Sequence, residues 1–289
     1  MATLKAVKKR IRTVVSTKRI TKAMEMVAAA KLRRAQQKVE QTRPYSRVME
    51  QMLGHLAAAS SDETIMHPFF EVREIKKKTL VVVASDRGLC GSYNANILRK
   101  ATQWLEENNA FEPEVVTIGK RVNNFFKHHQ WPVVSNYIDW DGKLDYDKTK
   151  DIVRFLTWRF LKKETDEITL MYTKFISTSR HQITDTCYLP VTKPKEKEET
   201  GYNVDYIFEP SAEAIYDAIL PDYATSKMVT ALAESFASEH SSRMLAMNNA
   251  TTNADEMVQN LTLEYNKARQ AQITKELLEV VSGAEALKS

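Results

Sequence analysis

Residues 211–287, SAEAIYDAILPDYATSKMVTALAESFASEHSSRMLAMNNATTNADEMVQNLTLEYNKARQAQITKELLEVVSGAEAL, contain no glycine or proline between Pro221 and Gly283. A run of roughly 60 residues without either helix breaker reads as one very long helix. At about 1.5 Å rise per residue it would be on the order of 90 Å long, against roughly 50 Å for a compact globule of this chain length. Its own chain cannot enclose it. The last turns repeat apolar residues at four- and three-residue spacing, Ile273, Leu277, Val280, Ala284 and Leu287, a seam that another helix or a partner must cover. The protruding end is therefore expected to probe into another protein. The weak point is 241–257, SSRMLAMNNATTNADEM, where Asn248, Asn249, Thr251, Thr252 and Asn253 also suit a turn and Thr252 could cap a second helix. A continuous helix is favoured because no breaker enforces the division, with two helices as the alternative.

The N-terminus supplies a candidate partner. Leu4, Val7, Ile11 and Val14, continuing through Ile20, Met24, Val27, Ala28, Leu32, Ala35 and Val39, mark a second long amphipathic helix. Pro44 is expected to kink or end it, with a shorter continuation over 47–59. Residues 1–43 hold 13 Lys and Arg against Glu25 and Glu40, whereas residues 210–289 hold 6 against 11 Asp and Glu. A basic first helix and an acidic last helix are suited to pair, although each exposed ion pair adds well under about 1 kcal/mol.

Between the helices the period changes. Residues 79–84, TLVVVA, form a continuous apolar run of strand length, as in a strand buried on both faces. Helices follow over 94–107, 120–129 and 148–162, with strands near 115–118, 167–175 and 182–189 and then a charged linker, KPKEKEETG. This alternation predicts a mainly parallel α/β domain. The expected fold class is α plus α/β: a long antiparallel coiled coil of N- and C-terminal helices with an inserted Rossmann-like α/β domain. The expected divisions are 1–60, 75–192, a linker at 193–209 and 210–289.

Composition narrows the function classes. The 43% hydrophobic content supports a real core, and 7 glycines in 289 residues argue against a turn-rich all-β fold. No apolar run approaches a membrane span, and the N-terminus reads as mature structure rather than a signal or transit peptide. Cys90 and Cys187 form neither a disulfide framework nor a metal spacing and fit a reducing compartment. The turn SDRGLCGS after the first strand stands where α/β folds bind ligands, but matches neither GxGxxG nor GxxxxGK with Ser or Thr. It reads as structural, with no base beside Cys90 and with His128 and His129 as surface residues. No cofactor or metal is expected. The basic first helix leaves a coiled-coil nucleic-acid-binding protein as the alternative, which predicts salt-sensitive duplex affinity.

Three long motifs, in order, carry a family resemblance. ITKAMEMVAAAKLRRAQ (20–36) closely resembles the N-terminal signature of the gamma subunit of F-type ATP synthases. EYNKARQAQITKELLEVVSGAEAL (264–287) resembles that family's C-terminal hallmark, and SDRGLCGSYN (85–94) its central-domain turn. DYIFEP (205–210) and SRMLAMNNATTNA (242–254) extend the likeness along the chain. The resemblance implies a non-catalytic central rotor shaft that binds no nucleotide. Its paired helices enter a ring of alpha and beta subunits with the tip in an apolar sleeve, and its α/β foot docks on the epsilon subunit and the c-ring. It places Lys22, Met24, Arg33, Arg34, Arg269, Gln270, Thr274 and Glu276 against the beta subunits. It sets Ile273, Leu277, Val280, Ala284 and Leu287 in the sleeve, and Tyr206, Phe208 and Glu209 toward the c-ring. The Met1 start without a presequence favours the cytoplasmic face of a bacterial inner membrane, with the mitochondrial matrix face as the alternative.

Overall fold

The computed structural model describes residues 4–59, 67–191 and 212–286. Helix α1 covers Leu4–Ala59 and helix α5 covers Ala212–Ala286. Between them lie β1 (Lys78–Val83), α2 (Tyr93–Glu107), β2 (Glu114–Ile118), α3 (Lys120–Phe126), β3 (Val133–Tyr137), α4 (Tyr146–Leu161), β4 (Glu167–Phe175) and β5 (His181–Leu189).

Two sequence expectations are corrected. Pro44 neither ends nor interrupts α1. The positions turned away from solvent run Val39, Thr42, Ser46, Met49, Leu53 and Leu56, so the seam holds its three- and four-residue spacing past the proline, while Pro44 itself is exposed. A proline on the solvent side costs one helical hydrogen bond to a carbonyl that water can satisfy, and packing on both sides lets the helix continue through it. Helix α3 stops at Phe126 rather than 129. The Asn- and Thr-rich stretch, for which a break was the alternative, lies inside continuous helix: Thr251 and Thr252 donate their hydroxyls back to the carbonyls of Met247 and Asn248.

The chain divides into two compact units, Met1–Val27 with Met244–Ser289, and Ala28–Arg243. In the second, five strands form one sheet in the order β3-β2-β1-β4-β5; the first four are parallel and β5 runs antiparallel to β4. The period of two along the strands separates two layers. Val81, Val83, Val116, Ile118, Ile168 and Leu170 face α4 and the parts of α1 and α5 within this unit, against Leu53, Leu156, Phe160, Leu220, Leu232 and Phe236. Leu80, Val82, Val115 and Met171 face α2 and α3, against Ile97, Leu105, Val122 and Phe126. Both faces are covered, which explains why TLVVVA has no polar alternation. Beneath the sheet, Glu114 is buried and paired with Arg159 at 2.7 Å, Lys77 at 3.1 Å and the Thr79 hydroxyl at 2.7 Å.

In the first unit the two helices run antiparallel, with Thr251 bonded to Thr21 through their hydroxyls at 2.8 Å and Lys18 paired to Asp255 at 2.5 Å. On α5 the covered positions include Met247, Thr251, Ala254, Val258, Leu261, Tyr265 and Ala268, with Ala250 and Asp255 half-buried beside them. That alternation of four and three is a heptad seam.

Candidate functional site

The seam stops where the described part of its partner stops. Continuing the register of Lys18 with Asp255 and Thr21 with Thr251 brings Leu4 opposite about residue 268. From 269 to 283 every side chain of α5 is exposed. Ile273, Leu277 and Val280 are 48%, 61% and 70% exposed, and Leu278 and Val281 are bared beside them. An apolar helix end of this kind marks a surface for another protein. Leu278 and Val281 were not singled out in the sequence, although the doublets in LLEVV are the signal that the apolar arc is wider than one stripe.

The polar residues assigned to the same end are exposed too. On α5, the Thr274 hydroxyl donates to the Gln270 carbonyl at 3.0 Å, and Gln272 donates to Glu276 at 2.9 Å. Arg269 is exposed on the same helix. On α1, Lys22 is exposed and pairs with Glu25 at 2.9 Å, while Met24 is half-buried. A shallow groove of about 380 Å³ there is lined by Lys18, Arg19, Lys22, Ala23, Met26 and Val258, among others. Arg33 and Arg34 belong to the other unit, are exposed, and make no ion pair among the described residues. The Ala284 side chain, Leu287, and the foot positions Tyr206, Phe208 and Glu209 lie outside the described residues, as does the 193–209 linker.

The turn after β1 has a structural occupation. Asp86 Oδ1 accepts from the backbone N–H groups of Lys120 (2.9 Å) and Asp139 (3.2 Å), and Oδ2 from those of Trp140 (2.6 Å) and Asp141 (2.8 Å). The carbonyls of Arg87 and Gly88 accept from the Arg243 guanidinium of α5, at 3.2 and 3.3 Å. The carboxyl end of β1, where such folds receive ligands, is thus filled by the chain's own groups.

Of the α5 residues at this end of the sheet, Arg243 fell within a quoted motif, whereas Glu239 and His240 were not singled out in the sequence. Glu239 and His240 are buried, and residues 231–241 of α5 are buried on all sides. Burial raises the Glu239 carboxyl above its ordinary value, opposed by Arg243 at 2.8 Å. Burial likewise lowers His240 to about 4, so its ring is neutral at neutral pH, with Nε2 3.0 Å from the Gly142 carbonyl. Their signal was a helical segment, ASEHSSR, with polar residues on every face and no apolar stripe.

Nothing in the described residues offers catalytic chemistry. Burial raises the thiols of Cys90 and Cys187, which disfavours a nucleophilic thiolate. His129 stacks on Phe125 at 4.0 Å and has its Nδ1 2.7 Å from that residue's carbonyl. No cluster of three or more His, Cys, Asp or Glu is placed to hold a metal among the described residues. No helix among them is long and apolar enough to cross a membrane.

The ATP synthase family profile matches residues 3–287. The ATP synthase gamma chain of Pelotomaculum thermopropionicum is 41% identical over 288 residues, covering all of both chains. That of Moorella thermoacetica is 43% identical over 288 residues, again covering both chains completely. Among solved structures, a chain of the Euglena gracilis mitochondrial ATP synthase (OSCP/F1/c-ring) superposes with a TM-score of 0.69 at 18% identity, covering 98% of this chain and 94% of that one. A chain of the Tetrahymena thermophila mitochondrial ATP synthase central stalk and c-ring gives 0.62 at 24% identity, covering 80% and 99%. These two likenesses concern the fold, a pair of long helices joined to an α/β unit, whereas full-length identity above 40% concerns ancestry. None of these relatives supports the nucleic-acid-binding alternative. The chain belongs to the ATP synthase gamma-chain family.

Proposed function

We propose that this chain is the central-stalk rotor subunit of an F-type ATP synthase, coupling rotation of a c-ring to ATP synthesis and hydrolysis in a ring of alpha and beta subunits. The observation that carries the reading is the bare apolar end of α5, continuous with a heptad-paired shaft, in a chain that matches gamma chains along its whole length. The subunit is non-catalytic and acts by contact. A shaft that interacts differently with alternative beta conformations shifts their populations. One proton crossing 100 mV supplies about 2.3 kcal/mol, so several must be combined for each ATP, which calls for a stiff connection.

In this reading Ile273, Leu277 and Val280, with Ala284 and Leu287, occupy an apolar sleeve of the ring. Arg269, Gln270, Thr274 and Glu276 meet the beta subunits, as do Lys22, Met24, Arg33 and Arg34. Tyr206, Phe208 and Glu209 face the c-ring, and the α/β foot also meets the epsilon subunit. The divisions at 1–60, 75–192, 193–209 and 210–289 follow those roles. The chain is a peripheral component, on the cytoplasmic side of a bacterial inner membrane.

The test is reconstitution with alpha and beta subunits of the same organism and with c-ring-containing vesicles. Wild type forms a complex whose ATP hydrolysis drives proton pumping. Met24→Lys, which puts a charge on the face turned to beta, lowers pumping while hydrolysis persists. Pumping unchanged in that variant would remove Met24 from the contact, and no complex with competent alpha and beta would overturn the rotor reading.

A further inference from the structure

The segment 234–243 of α5, ESFASEHSSR, overlaps the motifs of the family reading only at Ser242 and Arg243 and is given no role by it. Through residue 241 it is buried on every side yet rich in polar groups, and seven of its side chains bond to other parts of the Ala28–Arg243 unit or brace one that does. Glu234 accepts from Arg43 of α1 at 3.0 Å, and that arginine also donates to the Phe175 carbonyl at 2.6 Å. The Ser235 hydroxyl accepts from the Thr173 N–H at 3.2 Å, and Ser238 donates to the Thr173 carbonyl at 3.1 Å. Ser241 donates to the Thr178 carbonyl at 2.6 Å. His240 meets the Gly142 carbonyl, and Arg243, braced by Glu239, meets the carbonyls of Arg87 and Gly88. At about 100° per residue, Glu234, Ser238 and Ser241 lie on one side of the helix, Ser235, Glu239 and Arg243 about 100–180° round from it, and His240 on the remaining flank. The bonds encircle the helix.

The loop they meet is itself held stiffly. Asp139, Asp141 and Gly142 all have positive φ, at 62°, 49° and 67°, a conformation that persists in non-glycine residues only when the surroundings over-determine it. Asp86 does so by taking three successive N–H groups of that loop. The same loop binds the first helix, since Lys31 of α1 donates to the Asp141 carbonyl at 3.2 Å.

We propose that residues 234–243 form a torque-bearing collar: a ring of directional polar contacts that stops α5 from turning or sliding in the foot at the point where it leaves it. The interdigitated Leu220, Leu232 and Phe236 of α5 already hinder turning, but the hydrophobic term itself is non-directional. Hydrogen bonds weaken steeply with angle, so a ring of them opposes rotation about the axis. A buried polar network also favours the one arrangement in which most of its groups are paired, although Glu234 Oε2 and His240 Nδ1 have no partner within it. This inference rests on the rotor reading and adds which residues carry the load between shaft and foot.

The experiment uses the reconstituted enzyme, with the alpha/beta ring fixed to a surface, the shaft stalled by withholding nucleotide, and a bead on the foot through Glu107→Cys. Three chains are compared: wild type, the collar variant Ser235→Ala/Ser238→Ala/His240→Leu, and Leu105→Ala, a core variant in the α2 layer remote from the collar. The collar variant is expected to broaden the angular distribution of the bead severalfold and to lower protons pumped per ATP hydrolysed. Leu105→Ala, which lowers the unfolding midpoint, leaves both at wild-type values. Equal distributions and equal pumping ratios in the collar variant and wild type would overturn the collar. If the triple variant does not fold, Ser238→Ala and His240→Gln singly give the same comparison, with the same outcomes on either side. A wild-type bead that never steps when ATP is restored would instead sink the rotor reading, so the two failures are distinguishable.

Discussion

Replacing Gly142 by alanine tests how tightly the 139–142 loop is fitted to α5. Gly142 has φ of +67°, and a Cβ built there would stand 2.5 Å from both Cε1 and Nε2 of His240. Two costs follow. An alanine in the left-handed region costs about 1–2 kcal/mol. The imidazole must also move away, giving up its 3.0 Å contact with the Gly142 carbonyl, a loss of about 1 kcal/mol for a typical net hydrogen bond. The total is about 2–3 kcal/mol, which lowers the unfolding midpoint by roughly 4–12 °C for a unit of this size. The decisive assay is a double-mutant cycle by thermal or urea unfolding of the purified chain. In a His240→Ala background the methyl has room, so Gly142→Ala there costs only its backbone part, and the cycle yields a coupling of about 1 kcal/mol. Independent sites add to within about 0.3–0.5 kcal/mol. Additivity inside that margin would refute the reasoning, because it would mean that the ring and the loop do not constrain each other.

Other consequences are as direct. Arg159→Met leaves the buried Glu114 with Lys77 as its remaining cation, and urea unfolding should show a loss of about 3 kcal/mol, partly recovered by adding Glu114→Gln. His240 has a folded-state value of about 4 against an ordinary 6.5, so the folded chain binds fewer protons than the unfolded one in that window. Its contribution is present above pH 6.5 and is lost as pH falls toward 4, by on the order of 3 kcal/mol. Glu239, whose raised value gives the opposite slope, is common to both chains when wild type is compared with His240→Gln, and the variant should show the flatter acid limb. Leu277→Ser/Val280→Ser removes apolar surface that nothing in the described chain covers. It should leave the unfolding midpoint of the free chain within about 0.5 kcal/mol while reducing the fraction assembled with alpha and beta subunits.

The parts of this fold that could be read from the sequence are those whose burial is periodic. The seam predicted from Leu4 through Val39 buries one stripe of α1 except at Ile20 and Val27, which are both 58% exposed while Thr21 and Ala28 beside them are buried. Helix α5 was legible from its lack of breakers, its one-stripe burial being confined to the part after Met247, and TLVVVA is continuous because both faces of β1 are covered. Pro44 misled because local propensity argues for a break, while the packing of Thr42, Met49 and Leu53 on either side outweighs one missing bond. Strand β3 escaped notice because VVSNY is a short edge strand, only partly buried, with no clear alternation. The collar was illegible for the opposite reason to the shaft. A helix buried all round shows no stripe, and the partners of its Ser, His and Arg residues are backbone groups from 60 to 160 positions away, such as Thr173, Gly142 and Gly88. Asp86 could be placed in a turn, but its four backbone donors come from residues 120 and 139–141, which no local pattern announces. The proposed partner contacts came from resemblance rather than periodicity, since exposed polar residues such as Arg269 and Glu276 carry no packing signal.

The central claim is tested most directly by rotation. With alpha and beta subunits of the same organism fixed as a ring and a bead on Glu107→Cys of the foot, addition of ATP should produce stepwise rotation in one direction that ceases when ATP is removed. A complex that hydrolyses ATP while the bead only fluctuates without net direction would contradict the account.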